Sequence, residues 1–222
     1  MSETIAVFGR PQKTANYERA LGSLHIPYLV TLSPGDLDRC SALLLPGGGD
    51  ITPAFFGQKN AGSRNIDTEL DILQLQALEY AANRSLPVLG ICKGMQIINV
   101  FFGGTIVQHM AQAEIHAYNK GDRFHETTVS PNNLLYTLYG PAPLVNSAHH
   151  QCVDTPGKGL RMIQTAPDLT PEALQHETLP ILGVQWHPER LLPFLPVSRP
   201  CRTDGSLLLS AFAATFSTGH AL

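Results

Sequence analysis

LPVLGICKGMQ, residues 86–96, decides how this chain is read, because it places a lone cysteine, Cys92, between two glycines where an apolar strand gives way to a helical pattern. Residues 87–91 are short and apolar with β-branched Val88 and Ile91, as a buried parallel strand requires, and residues 93–102 carry helix-compatible apolar spacing. Gly90 and Gly94 flank Cys92 at the spacing of a nucleophile elbow, where a strained turn exposes the reactive side chain and small neighbours relieve crowding. Amides at the start of the following helix favour a thiolate. A buried cysteine in a tight turn leaves the same local pattern, so the case for chemistry needs support from elsewhere in the chain.

Working outward, residues 4–8 read as a first strand, 17–24 as a helix, 28–32 as a second strand and 42–45 as a third. The third strand stops abruptly at Pro46-Gly47-Gly48-Gly49-Asp50, which opens a polar loop running to about residue 66. Asp67 is the expected N-cap of a long helix, with Glu69 and Asp71 complementing its dipole and Leu70, Leu73, Ala77 and Ala81 as its apolar stripe. This alternation predicts an α/β fold, a mostly parallel sheet flanked by helices, with ligands at the carboxyl ends of the strands. Beyond Gly103-Gly104, residues 125–130, 144–147, 160–165, 173–178 and 181–186 read as strands and 206–216 as a closing helix.

A chain of 222 residues suits one sizeable α/β domain, so a single domain over residues 1–222 is expected. A net charge of −3 and the absence of a Lys/Arg cluster exclude the footprint of a nucleic-acid binder. No apolar stretch approaches a membrane span and the N-terminus lacks a secretory pattern, so the expectation is a soluble cytoplasmic protein. Cys40, Cys92, Cys152 and Cys201 are scattered without CxxC pairing, which argues against a disulfide framework or a zinc knuckle.

A cysteine nucleophile needs a base, and of nine histidines His187 is best placed, just past the end of an apolar strand. Glu189 follows two residues later across Pro188 and could fix the imidazole tautomer, the third role of a Cys-His-acid triad. HPE alone also suits a surface turn. The glycine run at 47–49 could be an oxyanion hole, a phosphate cradle or a tight turn; in the first case the amides of Gly48 or Gly49 would act with that of Lys93. His109, His116, His125, His149 and His150 have no spacing that fixes a tetrahedral metal site, and no metal or cofactor is expected. Trp186 is most simply core. Arg123 or Lys93 could meet a substrate carboxylate if the fold turns them inward.

Together GICKGMQ, LLLPGGGD and QWHPE resemble the class I glutamine amidotransferase superfamily. PGGGDITPAFFGQ and VNSAHHQ are similar to its γ-glutamyl hydrolase branch, the peptidase C26 type, which includes γ-glutamyl-γ-aminobutyrate hydrolases. The resemblance implies a flavodoxin-like sheet, a triad of Cys92, His187 and Glu189, and a pocket lined by Gln96, Asn146, Ser147, Ala148 and His149. It implies a cysteine hydrolase of small γ-glutamyl amines or peptides working through a thioester, with the amine left open. The alternatives are a glutaminase subunit serving a separate synthase and a non-catalytic binding module; a homodimer is compatible with either enzyme. Two departures stand out. Leu70, Asp71 and Gln74 occupy positions where that branch carries an Arg-Asp pair and then Glu, so a charged network is expected to be missing, and the region between about residues 109 and 123 is short.

Overall fold

The computed structural model describes residues 3–195 and 203–218. Strands β1 (Ile5–Phe8), β2 (Tyr28–Thr31), β3 (Ala42–Leu45) and β4 (Val88–Ile91) open the chain, with helices α1 (Ala15–Ser23) and α2 (Thr68–Asn83) among them and α3 (Lys93–Phe101) after them. The second half contributes β5 (Ile106–Val107), α4 (Ala113–His116), β6 (Arg123–Glu126), β7 (Thr128–Val129), α5 (Leu134–Tyr139), β8 (Leu144–Ser147) and β9 (Cys152–Val153). Strands β10 (Leu160–Thr165), β11 (Pro171–His176) and β12 (Ile181–Val184) then precede α6 (Gly205–Thr218).

Eight strands form the main sheet in the order β2-β1-β3-β4-β12-β11-β10-β7. The first five are parallel and follow the 2-1-3-4-5 order of flavodoxin-like sheets; β11, β10 and β7 extend it antiparallel. Alternate residues of β1 serve opposite cores, Ile5 and Val7 on one side, Ala6 and Phe8 on the other, which is why the strand is apolar throughout. Tyr17, Ala20 and Leu21 of α1 and Leu208, Leu209 and Phe212 of α6 cover the first face. Ala77, Leu78 and Ala81 of α2 and Met95, Ile97 and Ile98 of α3 cover the second.

Two glycines in register, Gly90 on β4 and Gly183 on β12, let α3 lie close to the sheet. A methyl at Gly183 would lie 2.8 Å from Cγ of Met95, and one at Gly90 2.6 Å from both the Gly94 backbone and Cδ1 of Ile98.

The structure corrects three local expectations. Residues 125–130 are not one strand: β6 pairs with β8 in a separate ribbon and β7 pairs with β10 in the main sheet. The break falls at Thr127, whose amide and hydroxyl both bind the Pro143 carbonyl. Helix α2 buries Asp71, Gln74, Ala77, Leu78 and Ala81, while Leu70 and Leu73 are only half-buried. Segments as short as β5, β9, α4 and α5 show no periodicity and went unread. Cys40, Cys92 and Cys152 are free thiols, Cys201 lies outside the described residues, and no described helix is long and apolar enough to cross a membrane.

Candidate active site

Neighbouring strands β3, β4 and β12 deliver Gly47, Cys92 and His187 to one point at their carboxyl ends. Cys92 stands at the N-cap of α3 with φ +53° and ψ −105°, a conformation that costs a non-glycine residue roughly 1–3 kcal/mol. Its amide donates to Val184 O at 2.8 Å and its carbonyl accepts from Gln96 N at 3.3 Å, so neighbouring strand and helix hold the strain. The flanking glycines are sterically required, since a methyl on Gly94 would lie 2.1 Å from the Leu45 carbonyl oxygen.

His187 is buried, and its Nδ1 donates to Glu189 Oε1 at 2.8 Å while its other edge faces Cys92. Burial alone would depress the imidazole, but the charges of Glu189 and Cys92, with a hydrogen bond to each, outweigh it and lift His187 to about 10. Burial would likewise raise Glu189, and His187 holds it down instead. Asn146 fixes the His187 backbone: its Oδ1 accepts from His187 N at 2.9 Å, and its Nδ2 donates to His187 O at 3.2 Å and to Asp122 Oδ2 at 2.8 Å. Arg190 completes this support, donating from Nη1 to Asp122 Oδ1 at 2.8 Å and pairing with Glu189.

A cavity of about 210 Å³ opens over Cys92, bordered by Gly48, Gly49, Lys93, Gln96, Ala148 and His149 among others. Asn146 and Ser147, expected on its wall, lie behind it. Both are fully buried; Asn146 braces His187, and Ser147 Oγ donates to His116 O at 2.9 Å. Residues 46–50 divide their work. The Gly47 amide donates to the Tyr17 hydroxyl at 2.7 Å, and a methyl on Gly47 would sit 3.2 Å from His187 Cε1 and 3.3 Å from Cys92 Cβ. Gly49 is glycine because Asn65 O would lie 2.0 Å from its Cβ. Among the described residues the amides of Gly48 and Gly49 carry no hydrogen bond.

A charged network is present after all. Lys93 Nζ meets Asp71 Oδ1 at 2.6 Å with both side chains buried, and Asp71 Oδ2 accepts from the amide and hydroxyl of Thr52 at 2.8 and 2.7 Å. Gln74 donates to Phe8 O at 3.0 Å. The Lys93 ammonium is therefore committed away from ligand, and Arg123 is exposed on β6. Gln96 donates to Gln185 Oε1 at 3.1 Å. Trp186 is core, bonded through Nε1 to Gln164 Oε1 at 3.0 Å. His149 binds Gln151 O through Nδ1 at 2.8 Å, and His150 pairs with Asp50 at 2.9 Å and contacts His109 at 3.1 Å. Sequence reading missed Tyr17, Asp122, Gln185 and Arg190, which carry no motif of their own.

A sequence model of the peptidase C26 family matches residues 25–189, a span that holds Cys92, His187 and Glu189. The chain belongs to the peptidase C26 family. A Schizosaccharomyces pombe relative, provisionally named a glutamine amidotransferase, is 31% identical over 164 residues, covering 70% of this chain and 64% of its own length. The γ-glutamyl-γ-aminobutyrate hydrolase of Escherichia coli K12 is 29% identical over 167 residues, covering 69% of this chain and 65% of the relative. The matches thus span slightly under two thirds of the length of these relatives. Among solved structures, a Thermoplasma acidophilum protein, provisionally named as one of the subunits of a GMP synthase, superposes with a TM-score of 0.71 at 20% identity, covering 97% of this chain and 94% of that one. A Thermotoga maritima glutamine amidotransferase gives 0.60 at 14%, covering 84% and 75%. The fold is that of the glutamine amidotransferases.

Proposed function

We propose that this chain hydrolyses the γ-glutamyl amide bond of a small γ-glutamyl amine or peptide through a thioester on Cys92. The observation that carries the reading is a buried imidazole held by Glu189 on one nitrogen and facing the strained Cys92 with its other edge, at the foot of a cavity. Cys92 Sγ, as thiolate, attacks the γ-carbonyl carbon, and the amides of Lys93 and Gly48 or Gly49 receive the developing oxyanion. His187, already protonated, gives its proton to the amine nitrogen as the C–N bond breaks, leaving a γ-glutamyl thioester and a free amine. The now neutral His187 takes a proton from water, whose oxygen attacks the thioester carbonyl; glutamate leaves and the thiolate and imidazolium return. Glu189 keeps the tautomer and orientation throughout.

A panel of γ-glutamyl amides, assayed for glutamate release by the wild type and by Cys92→Ala, tests this reading. Turnover by the wild type alone, with a loss of at least about 10³-fold in a folded Cys92→Ala protein, supports it. Retained turnover in the variant refutes the nucleophile, and turnover only when a synthase is added would assign the chain to ammonia supply instead.

A further inference from the structure

Three histidines outside the triad converge on one carboxylate. His116 ends α4, His125 lies on β6, His149 follows β8 and Glu172 lies on β11. Glu172, His116 and His149 are buried, and His125 is half-buried.

The ring nitrogens can be assigned from their partners. His149 Nδ1 lies 2.8 Å from the Gln151 carbonyl, which only accepts, so the proton is there and Nε2 turns a lone pair toward Glu172 Oε1 at 3.7 Å. His116 Nε2 lies 2.9 Å from Asp168 Oδ2, so its proton is on that side and Nδ1 turns a lone pair toward the same Glu172 oxygen, also at 3.7 Å. Ser147 Oγ, which donates to His116 O, also lies 3.4 Å from His116 Nδ1. Among the described residues His149 Nε2 and Glu172 Oε2 are buried with no hydrogen-bond partner. A cation held by His116, His125 and Glu172 would give the buried carboxylate the partner that its Oε2 lacks.

The spacings suit such an ion. Ligand distances near 2.0–2.2 Å put two donors on a tetrahedral ion roughly 3.4 Å apart. The 3.7 Å separation of His116 Nδ1 from Glu172 Oε1 matches, and His125 Nε2, hydrogen-bonded to Glu172 Oε1 at 2.9 Å, needs to open by only about half an ångström. Donor atoms of His116, His125 and Glu172 all lie within 4.8 Å of one another. The far nitrogen of His116 is tied to the Asp168 carboxylate, the kind of outer partner that orients a metal-ligating imidazole.

We propose that His116, His125 and Glu172 form a site for a divalent transition ion of the zinc class, distinct from Cys92, beside the His149 wall of the cavity. The ligands come from three elements, α4, β6 and β11, which is why no sequence spacing announces them.

The test is titration of chelator-treated full-length protein with Co²⁺ and Zn²⁺, followed by absorption, calorimetry and thermal melting. The expected result is one Co²⁺ per chain with d–d bands and no sulfur-to-cobalt charge-transfer band, unchanged in Cys92→Ala. Zn²⁺ should raise Tm by several degrees, and His116→Gln or Glu172→Gln should weaken binding at least about 10-fold. His125→Gln, at a half-buried position, serves as the variant least exposed to folding defects, with circular dichroism confirming its fold. No saturable binding, a thiolate band that disappears in Cys92→Ala, or unchanged affinity in folded His125→Gln would overturn the proposal.

Discussion

Glu189 reaches Cys92 only through His187, so its removal tests what the carboxylate contributes. Below about 10 His187 is protonated, and above it the imidazolium that Cys92 faces is lost. Wild-type acylation should therefore fall as pH rises through about 10. Glu189→Gln removes the largest charge holding His187 up, so its alkaline limb should move toward the ordinary value of 6.5, with kcat/KM lower by about 10²–10⁴-fold; the pH dependence of Cys92 alkylation reads the same shift without turnover. Gly47 makes a second claim at this scale. A methyl there meets Tyr17 Oη at 3.0 Å as well as His187 and Cys92, so Gly47→Ala should abolish most activity, and a full-rate variant would disprove the crowding. The sequence singled out Gly48 and Gly49 in this run but not Gly47, because three adjacent glycines look alike until the neighbours of each are known. Cys92, His187 and Glu189 were legible because their chemistry is written in residue type and strand ends.

At the scale of elements, α2 and α3 are joined by one buried ion pair, Lys93 with Asp71. Removing one charge strands the other, so Lys93→Met should cost about 3–5 kcal/mol, measured by urea unfolding, and adding Asp71→Asn should recover part of the loss. An effect under about 1 kcal/mol would mean that the Thr52 hydrogen bonds suffice for Asp71. The buried Asp71 and Gln74 also explain why the apolar stripe of α2 was misplaced. A helical wheel assigns polar residues to water, and it registers neither the lysine above Asp71 nor the Phe8 carbonyl beside Gln74. Parallel strands β1 to β4 were readable to within about a residue because both faces are buried and the runs are uniformly apolar. The split at Thr127 was not, since a strand that changes partner keeps its alternation.

For the molecule as a whole, two buried groups set opposite flanks of the stability curve. Partnered by its histidines, which overcome the cost of burial, Glu172 is held at about 2 against an ordinary 4.5, so it contributes stability above 4.5 that is lost as pH falls toward 2. His187, raised from 6.5 to about 10, contributes stability fully present below 6.5 and lost as pH rises through 10. Tm of metal-free protein should therefore be highest between about 4.5 and 6.5, with Glu172→Gln flattening the acid flank and His187→Gln the alkaline one. A Tm still rising at pH 9 would contradict this. The pairing of β4 with β12 carries a consequence for the nascent chain. Nucleophile and base sit on adjacent strands yet ninety-five positions apart, so the ribosome releases Cys92 long before Gly183 can dock beside Gly90 and bring His187 into place. Until then the thiol lacks both His187 and the Val184 carbonyl that holds its turn, and a polypeptide interrupted midway carries the cysteine without the means to fire it.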